Sequence, residues 1–134
     1  MSVHFFVRFE PRPGKEMEFR QELLRVIEAS RAEIGCLEIR AFESLREPSV
    51  FAIHSEWADE AAFDWHAQLS HTVRFLRAAE DLLSHPVQGL RSRQIGGGAG
   101  AGAADDASRF SQSPPAQAPH AFDDDRGRMR RSQR

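Results

Sequence analysis

Apolar and polar residues alternate with a period of two in three stretches of the chain. The first is "VHFFVRF" at 3–9, whose odd positions are all apolar, and this predicts a strand with one buried face. The same period recurs in "CLEIRAFESL" at 36–45 and "VFAIHSEW" at 50–57, which the turn "REPS" joins into a predicted hairpin. A fourth strand is predicted in "PVQGLRSRQI" at 86–95, because proline is tolerated at the first position of a strand.

Two stretches between these strands have apolar residues at helical spacing. The first runs from Lys15 to about Glu33, with Gly35 as the expected C-terminal stop. The second runs from about 59 to 83, with Asp59 as the expected N-cap. The order strand, helix, strand, strand, helix, strand predicts an α+β, ferredoxin-like βαββαβ fold, a four-stranded antiparallel sheet with two helices on one face.

The sheet face away from the helices carries an unusual mixture of side chains. It is too apolar for contact with water and too polar for the core of a monomer, and such a face is typical of an interface. We therefore predict a homodimer in which the open sheet faces of two copies meet. The face comprises His4, Phe6, Arg8, Glu38, Arg40, Phe42, Val50, Ala52, His54 and Glu56.

The composition changes at Gly96, where a stretch rich in Gly, Ala, Ser, Pro and Asp begins. Such a segment buries too little apolar surface to offset the entropy lost on ordering. We predict a folded domain over 1–95 and a flexible, disordered C-terminal tail over 96–134, whose role the sequence does not indicate.

The overall charge and composition exclude several classes of protein. The formal net charge of the chain is −2, so no basic face suggests a nucleic-acid partner. No apolar run approaches the ~20 residues that span a bilayer, and "MSVHFFVRFE" lacks the pattern of a signal peptide. The single cysteine, Cys36, excludes an internal disulfide and a cysteine-rich zinc site. We expect a cytoplasmic protein without membrane or nucleic-acid partners.

The stretch "FDWHAQLSH" at 63–71 places two histidines and a tryptophan within the second predicted helix. His66 falls on the apolar stripe and should face the sheet. His71 is five residues further on, about 140° around a continuous helix, so the two imidazoles should not share a face. That spacing excludes a metal-binding pair of the HExxH kind, and we expect no metal site. A packed core histidine, hydrogen-bonded to a backbone carbonyl or to Glu56, is the other interpretation of His66.

Three segments, in order, resemble the antibiotic biosynthesis monooxygenase family. They are "PRPGKEMEFRQEL" at the start of the first helix, "SRAEIGCLEIRAF" with its acidic residue and Gly-Cys pair, and "FAIHSEWADEAAFDWHAQLSH". The resemblance spans 3–95 and implies a dimeric α/β barrel. The best-known members oxygenate quinols and anthrone-type polyketides without metal, flavin or haem. Relatives degrade haem or isomerise a sugar phosphate, so the fold alone does not fix the function.

The resemblance places a pocket between sheet and helices, with His66 as the base for a substrate hydroxyl, because histidine titrates nearest to neutral pH. Haem-degrading relatives use an asparagine on the first strand, and because this chain has no asparagine, haem is disfavoured. Oxygenases of the family often hold their substrate with tyrosine and asparagine, and this chain has neither residue type. Trp57 is open to two interpretations, an aromatic wall or core packing, and Arg91 could hold a developing oxyanion. The expected substrate-binding residues are Trp65, Phe63, His71, Trp57 and Arg91.

These expectations combine into one predicted activity. It is a cofactor-independent monooxygenase that oxidises a small quinol or phenolic compound with O2. Two alternatives stay open: an isomerase of the same fold in which His66 shuttles a proton, and a non-enzymatic ligand-binding or stress-responsive dimer.

Overall fold

The computed structural model describes residues 1–47 and 49–104. The chain divides into two units, Met1–Ile95 and Gly96–Arg134. In the second unit the described part contains one short 3₁₀ turn, Ala101–Ala104. Most of the predicted tail lies outside the described residues, so its flexibility stays a prediction.

The first unit has seven regular elements around one antiparallel sheet. The strand order is β2-β3-β1-β4, and each neighbouring pair is antiparallel. This is the predicted α+β, ferredoxin-like arrangement, with three helices in place of the predicted two. The elements are β1 (Val3–Phe9), α1 (Glu16–Arg31), β2 (Cys36–Glu43), β3 (Phe51–Trp57), α2 (Glu60–Gln68), α3 (Ser70–Leu82) and β4 (Gln88–Ser92).

The period of two along the strands puts one apolar face of the sheet under the helices. Every second residue of β3, from Phe51 to Trp57, is buried, and the intervening residues are partly exposed. On α1 the buried positions follow the spacing of a helical stripe, which packs on this face. The core is formed by Val7, Phe9, Phe19, Leu23, Val26, Ile27, Phe51, Ile53, Phe75, Ala79, Leu82 and Leu83.

The predicted continuous helix over 59–83 is wrong, because the chain leaves helical geometry at Leu69. This residue is extended, with φ −72° and ψ 152°, and separates α2 from α3. Its N–H still donates to the carbonyl of His66, and its own carbonyl accepts from Thr72 and Val73. These backbone hydrogen bonds of Leu69 are present although the helix axis is interrupted there. Helical spacing counted across Leu69 therefore does not predict which side chains share a face.

Asp59 is confirmed as the N-cap of the second helical segment, since its Oδ1 accepts a hydrogen bond of 2.8 Å from the N–H of Ala62. Gly35 has a different role from the predicted helix stop, because α1 already ends at Arg31. A Cβ on Gly35 would lie 2.4 Å from the Cβ of Ala62. Glycine there allows the first turn of α2 to pack directly on the loop that leads into β2.

Among the described residues, no helix has both the length and the apolar character that crossing a membrane requires.

Candidate functional site

A cavity of about 330 Å³ lies between the sheet and the helices. Most of its lining is aliphatic or aromatic, and four polar side chains interrupt it: Ser30, Ser55, His66 and Thr72. The apolar lining comes from β1, α1, β2, β3, both later helices and the segment that enters β4. It comprises Phe5, Val7, Phe9, Val26, Ile39, Ile53, Phe63, Ala67, Phe75, Leu76, Val87 and Gly89.

His66 lies in the last turn of α2, with only 12% of its side chain exposed. Its ring packs against two aromatic neighbours, with centroid distances of 4.4 Å to Trp57 and 5.5 Å to Phe63. Trp57 is fully buried, and its indole N–H donates to Ser55 Oγ at 2.9 Å. The strand therefore anchors the tryptophan, and the tryptophan supports one face of the imidazole.

Glu33 is the hydrogen-bond partner of His66, and no role was predicted for it. Its Oε2 lies 2.8 Å from His66 Nδ1, and only 8% of the Glu33 side chain is exposed. Among the described residues, the His66 side chain makes no hydrogen bond to Glu56 or to a backbone carbonyl, the two partners expected from the sequence. Glu33 follows α1 in the turn before β2 and reaches His66 across 33 positions of sequence. Its only signal was its place as the acidic residue in "SRAEIGC".

His71 contacts the same carboxylate oxygen, with Nε2 2.6 Å from Glu33 Oε2. The expectation that His66 and His71 cannot face a common group is therefore wrong. It assumed a continuous helix, whereas the break at Leu69 turns His71 towards Glu33. His71 does not line the cavity, and 27% of its side chain is exposed, so its expected part in substrate binding stays a prediction.

This cluster also has the donor set of a divalent-metal site. One atom each of Glu33, His66 and His71 lies within 4.8 Å of the others, and two imidazoles with a carboxylate suit several transition metals. In the structure two hydrogen bonds join these atoms, while Glu33 Oε1 is buried without a hydrogen-bond partner among the described residues. The expected absence of a metal site stays a prediction.

Burial lowers the pKa of His66 below its ordinary value of 6.5. The hydrogen bond and the negative charge of Glu33 act in the opposite direction, and the charge of His71 adds to the lowering. At neutral pH the imidazole of His66 is therefore mostly neutral, which is the form that can accept a proton.

The other predicted substrate-binding residues occupy different surroundings. Phe63 lines the cavity, whereas Trp65 is 62% exposed and lies outside it. Arg91 also lies outside, where its guanidinium binds Glu60 at 2.9 Å and Asp64 at 3.0 Å and covers the Phe63 ring at 4.8 Å. Neither Trp65 nor Arg91 is among the residues that line the cavity, and their role in substrate binding stays a prediction.

Comparisons with known proteins identify a family, a relative in sequence and solved structures of similar fold. Residues 2–78 match the family described as "Antibiotic biosynthesis monooxygenase". The Bacillus subtilis (strain 168) protein named "Putative monooxygenase YcnE" is 33% identical over 81 residues, which are 60% of this chain and 85% of that protein. The structure of PA3566 from Pseudomonas aeruginosa superposes with a TM-score of 0.66 at 26% identity, covering 71% of this chain and 95% of that one. Rv0793 from Mycobacterium tuberculosis shares the fold, with a TM-score of 0.69 at 24% identity, covering 74% of this chain and all of that one (100%).

Proposed function

Because the chain belongs to the antibiotic biosynthesis monooxygenase family, we propose that it is a cofactor-independent monooxygenase that oxidises a small quinol or phenol with O2. One observation carries the proposal. A mostly neutral His66 lies in the wall of a mostly apolar cavity, beside aromatic rings.

The cavity suits a small, flat and mostly apolar ligand. Its volume of about 330 Å³ is at the lower end of the range for ligand pockets, so one or two fused rings are the expected size. Phe5 and Phe63 both line the cavity, and their ring centroids are 4.3 Å apart. The apolar lining also limits the access of water to a radical pair formed during the reaction.

His66 would begin the reaction as a general base. A phenolic hydroxyl has a pKa of about 10, so at neutral pH it needs a base to become the anion that gives an electron to O2. Glu33 occupies Nδ1 of His66, and no described residue hydrogen-bonds to Nε2. Nε2 is thus the nitrogen that takes the hydroxyl proton.

The overall reaction needs no external reductant. For a simple hydroquinone, one oxygen atom of O2 replaces a ring hydrogen, and the other leaves as water with two hydrogens from the substrate. The products are a hydroxyquinone and water, so the substrate supplies all four electrons that reduce O2. Electron transfer from the anion to O2, followed by formation of a carbon–oxygen bond, gives this balance without flavin, haem or metal.

We also propose that the working form is a homodimer through the open sheet face. Phe6, Phe42 and Leu90 are 46%, 52% and 62% exposed on this face, an unusual density of large apolar side chains for a solvated sheet. Between them lies a wide groove lined by the same three residues, together with His54 and Arg8. A second copy of the chain would cover these side chains.

Oxygen uptake with a panel of mono- and bicyclic quinols tests the function. We expect uptake by the wild-type protein and a loss of about 10²- to 10⁴-fold in kcat/KM for His66→Ala, the range that a general base contributes. No uptake with any quinol would reject the monooxygenase. Equal uptake by both proteins would reject only the role of His66. Turnover of a substrate without O2 would favour the isomerase, and binding without turnover the ligand-binding dimer.

A further inference from the structure

We propose that Glu33 is the positioning residue of this site: its carboxylate fixes the ring and the tautomer of His66, so that Nε2 faces the substrate as the base. The inference rests on the proposed function for its catalytic meaning. Its structural content, which nitrogen of His66 carries the proton, can be measured without any substrate.

The backbone holds Glu33 firmly on both sides. Its N–H donates to the carbonyl of Ser30 at 3.0 Å, and its own carbonyl accepts from the N–H of Cys36 at 3.1 Å. Only 8% of the side chain is exposed, so it has little freedom to move away from the imidazole. A carboxylate held this way can orient the ring of His66 as well as bind it.

The chemistry of the contact sets the tautomer. An ionised carboxylate only accepts hydrogen bonds, so the 2.8 Å contact requires a proton on His66 Nδ1. In a neutral imidazole the other nitrogen, Nε2, then carries the lone pair. The second neighbour of Nδ1 is Thr72 Oγ1 at 3.4 Å, a longer contact, so Glu33 decides which nitrogen is protonated.

Glu33 also acts on the strength of the base. Burial alone would make His66 a weak base, and the hydrogen bond and charge of Glu33 oppose that effect. When Nε2 takes a proton from the substrate, the imidazolium that forms lies next to a negative charge. The carboxylate therefore stabilises the ion pair that proton transfer creates, as a third group orients the base in other catalytic dyads and triads.

His71 completes the arrangement from the far side. Its Nε2 donates to the same Oε2, so two imidazoles hold one carboxylate oxygen between them. This second bond fixes the direction of the carboxylate. His71→Gln, which keeps a side-chain donor, should therefore disturb His66 less than a change at Glu33.

Long-range ¹H–¹⁵N spectra of the histidine side chains test the proposal directly. We compare the wild type with Glu33→Gln and, as a matched control on the preceding helix, Glu28→Gln, which removes only an exposed ion pair with Arg31. In the wild type His66 should be the Nδ1–H tautomer. Glu33→Gln should lower the pKa of His66 further, since the Glu33 carboxylate raises it, and should also populate the Nε2–H tautomer, because the amide can turn its NH2 group towards Nδ1. Glu28→Gln should change neither.

Kinetic measurements give a second test, because a purely structural role of Glu33 would not change kcat and its pH dependence in the way expected here. In Glu33→Gln we expect kcat to fall at least about tenfold, less than the roughly 10²- to 10⁴-fold that the base itself contributes, with little change in KM. The acid limb of the profile of kcat/KM against pH should move to lower pH.

Three results would overturn the proposal. One is an Nε2–H tautomer of His66 in the wild type, which is decisive even if Glu33→Gln fails to fold. Another is a folded Glu33→Gln with an unchanged tautomer and pKa. The third is a joint change of the His66 and His71 signals on adding a chelator, which would mean that a metal, and not the hydrogen bonds, joins the cluster. If the spectra agree but no quinol is oxidised, the positioning role stands and the proposed function fails.

Discussion

Lowering the pH should inactivate the protein through His66, and the structure limits where this can happen. A histidine with the ordinary pKa of 6.5 is half neutral at pH 6.5 and about nine-tenths neutral at pH 7.5. Because burial lowers the pKa of His66, a larger share is neutral at each pH. We therefore expect kcat/KM to be above half of its plateau at pH 6.5 and above about nine-tenths of it at pH 7.5.

The assay is oxygen uptake at quinol concentrations below KM, from pH 5 to 8 at constant ionic strength. The quinol should have a pKa above about 9, so that it stays protonated throughout. His85→Gln is the matched control, because His85 is 68% exposed and does not line the cavity, and it should leave the profile unchanged. A half-maximum above pH 6.5 in the wild type would show that a different group, or a His66 with a raised pKa, controls the reaction.

The same shift affects stability in a defined direction. The pKa of His66 is lower in the folded protein than in the unfolded chain, so the unfolded chain binds the proton more readily. The contribution of neutral His66 to the free energy of unfolding is thus fully present above pH 6.5. It is lost as the pH falls through the lowered pKa of the folded state.

Two further predictions concern stability and assembly. Ser30 Oγ is buried without a hydrogen-bond partner among the described residues, so Ser30→Ala should raise the free energy of unfolding in urea by about 1 kcal/mol. Ser55→Ala leaves the indole N–H of Trp57 without its acceptor and should lower the free energy of unfolding by about 1–3 kcal/mol. A lower free energy of unfolding in both variants would argue against an unpaired Ser30 hydroxyl. Phe42→Asp should convert the proposed dimer to a monomer in light scattering. Leu24→Asp is the control, because Leu24 has the same 52% exposure but lies on α1, and it should leave the dimer intact. A monomeric wild type would reject the dimer through the open sheet face.

The positions of β1 and β3 were closely predictable, because burial of one face of the sheet leaves a period of two in the sequence, whereas β4 covers only Gln88–Ser92 of the predicted 86–95 and is mostly exposed. β1 runs from Val3 to Phe9 as predicted, and β3 differs from the prediction by one residue. The N-cap at Asp59 was predictable for a similar reason, since its side chain acts on the backbone only three residues away.

The interruption at Leu69 was not predictable from local pattern. No proline or glycine lies within "HAQLSHTV", and the apolar residues on both sides keep helical spacing. The structure also shows no side-chain cap on α3. The break therefore depends on how both helices pack on the sheet and on Glu33, and these tertiary contacts outweigh the local preference for a continuous helix.

Only part of the candidate site could be predicted from the sequence. His66 could be placed on the apolar stripe of a helix, Phe63 was expected to contact the substrate, and both line the cavity. Glu33 could not be connected to them, because a hydrogen bond across 33 positions leaves no periodic signal. Trp65, which was expected to contact the substrate, is 62% exposed and does not line the cavity, so its role stays a prediction.

Labelling with ¹⁸O2 measures the proposed chemistry most directly. Protein treated with a chelator is incubated with the best quinol of the panel under ¹⁸O2, and the product is analysed by mass spectrometry. A cofactor-independent monooxygenase places one ¹⁸O atom in the hydroxyquinone and the other in water, with one O2 consumed for each quinol. A product without ¹⁸O, or one that loses its label when the chelator is added, would show that the cavity carries out a different reaction.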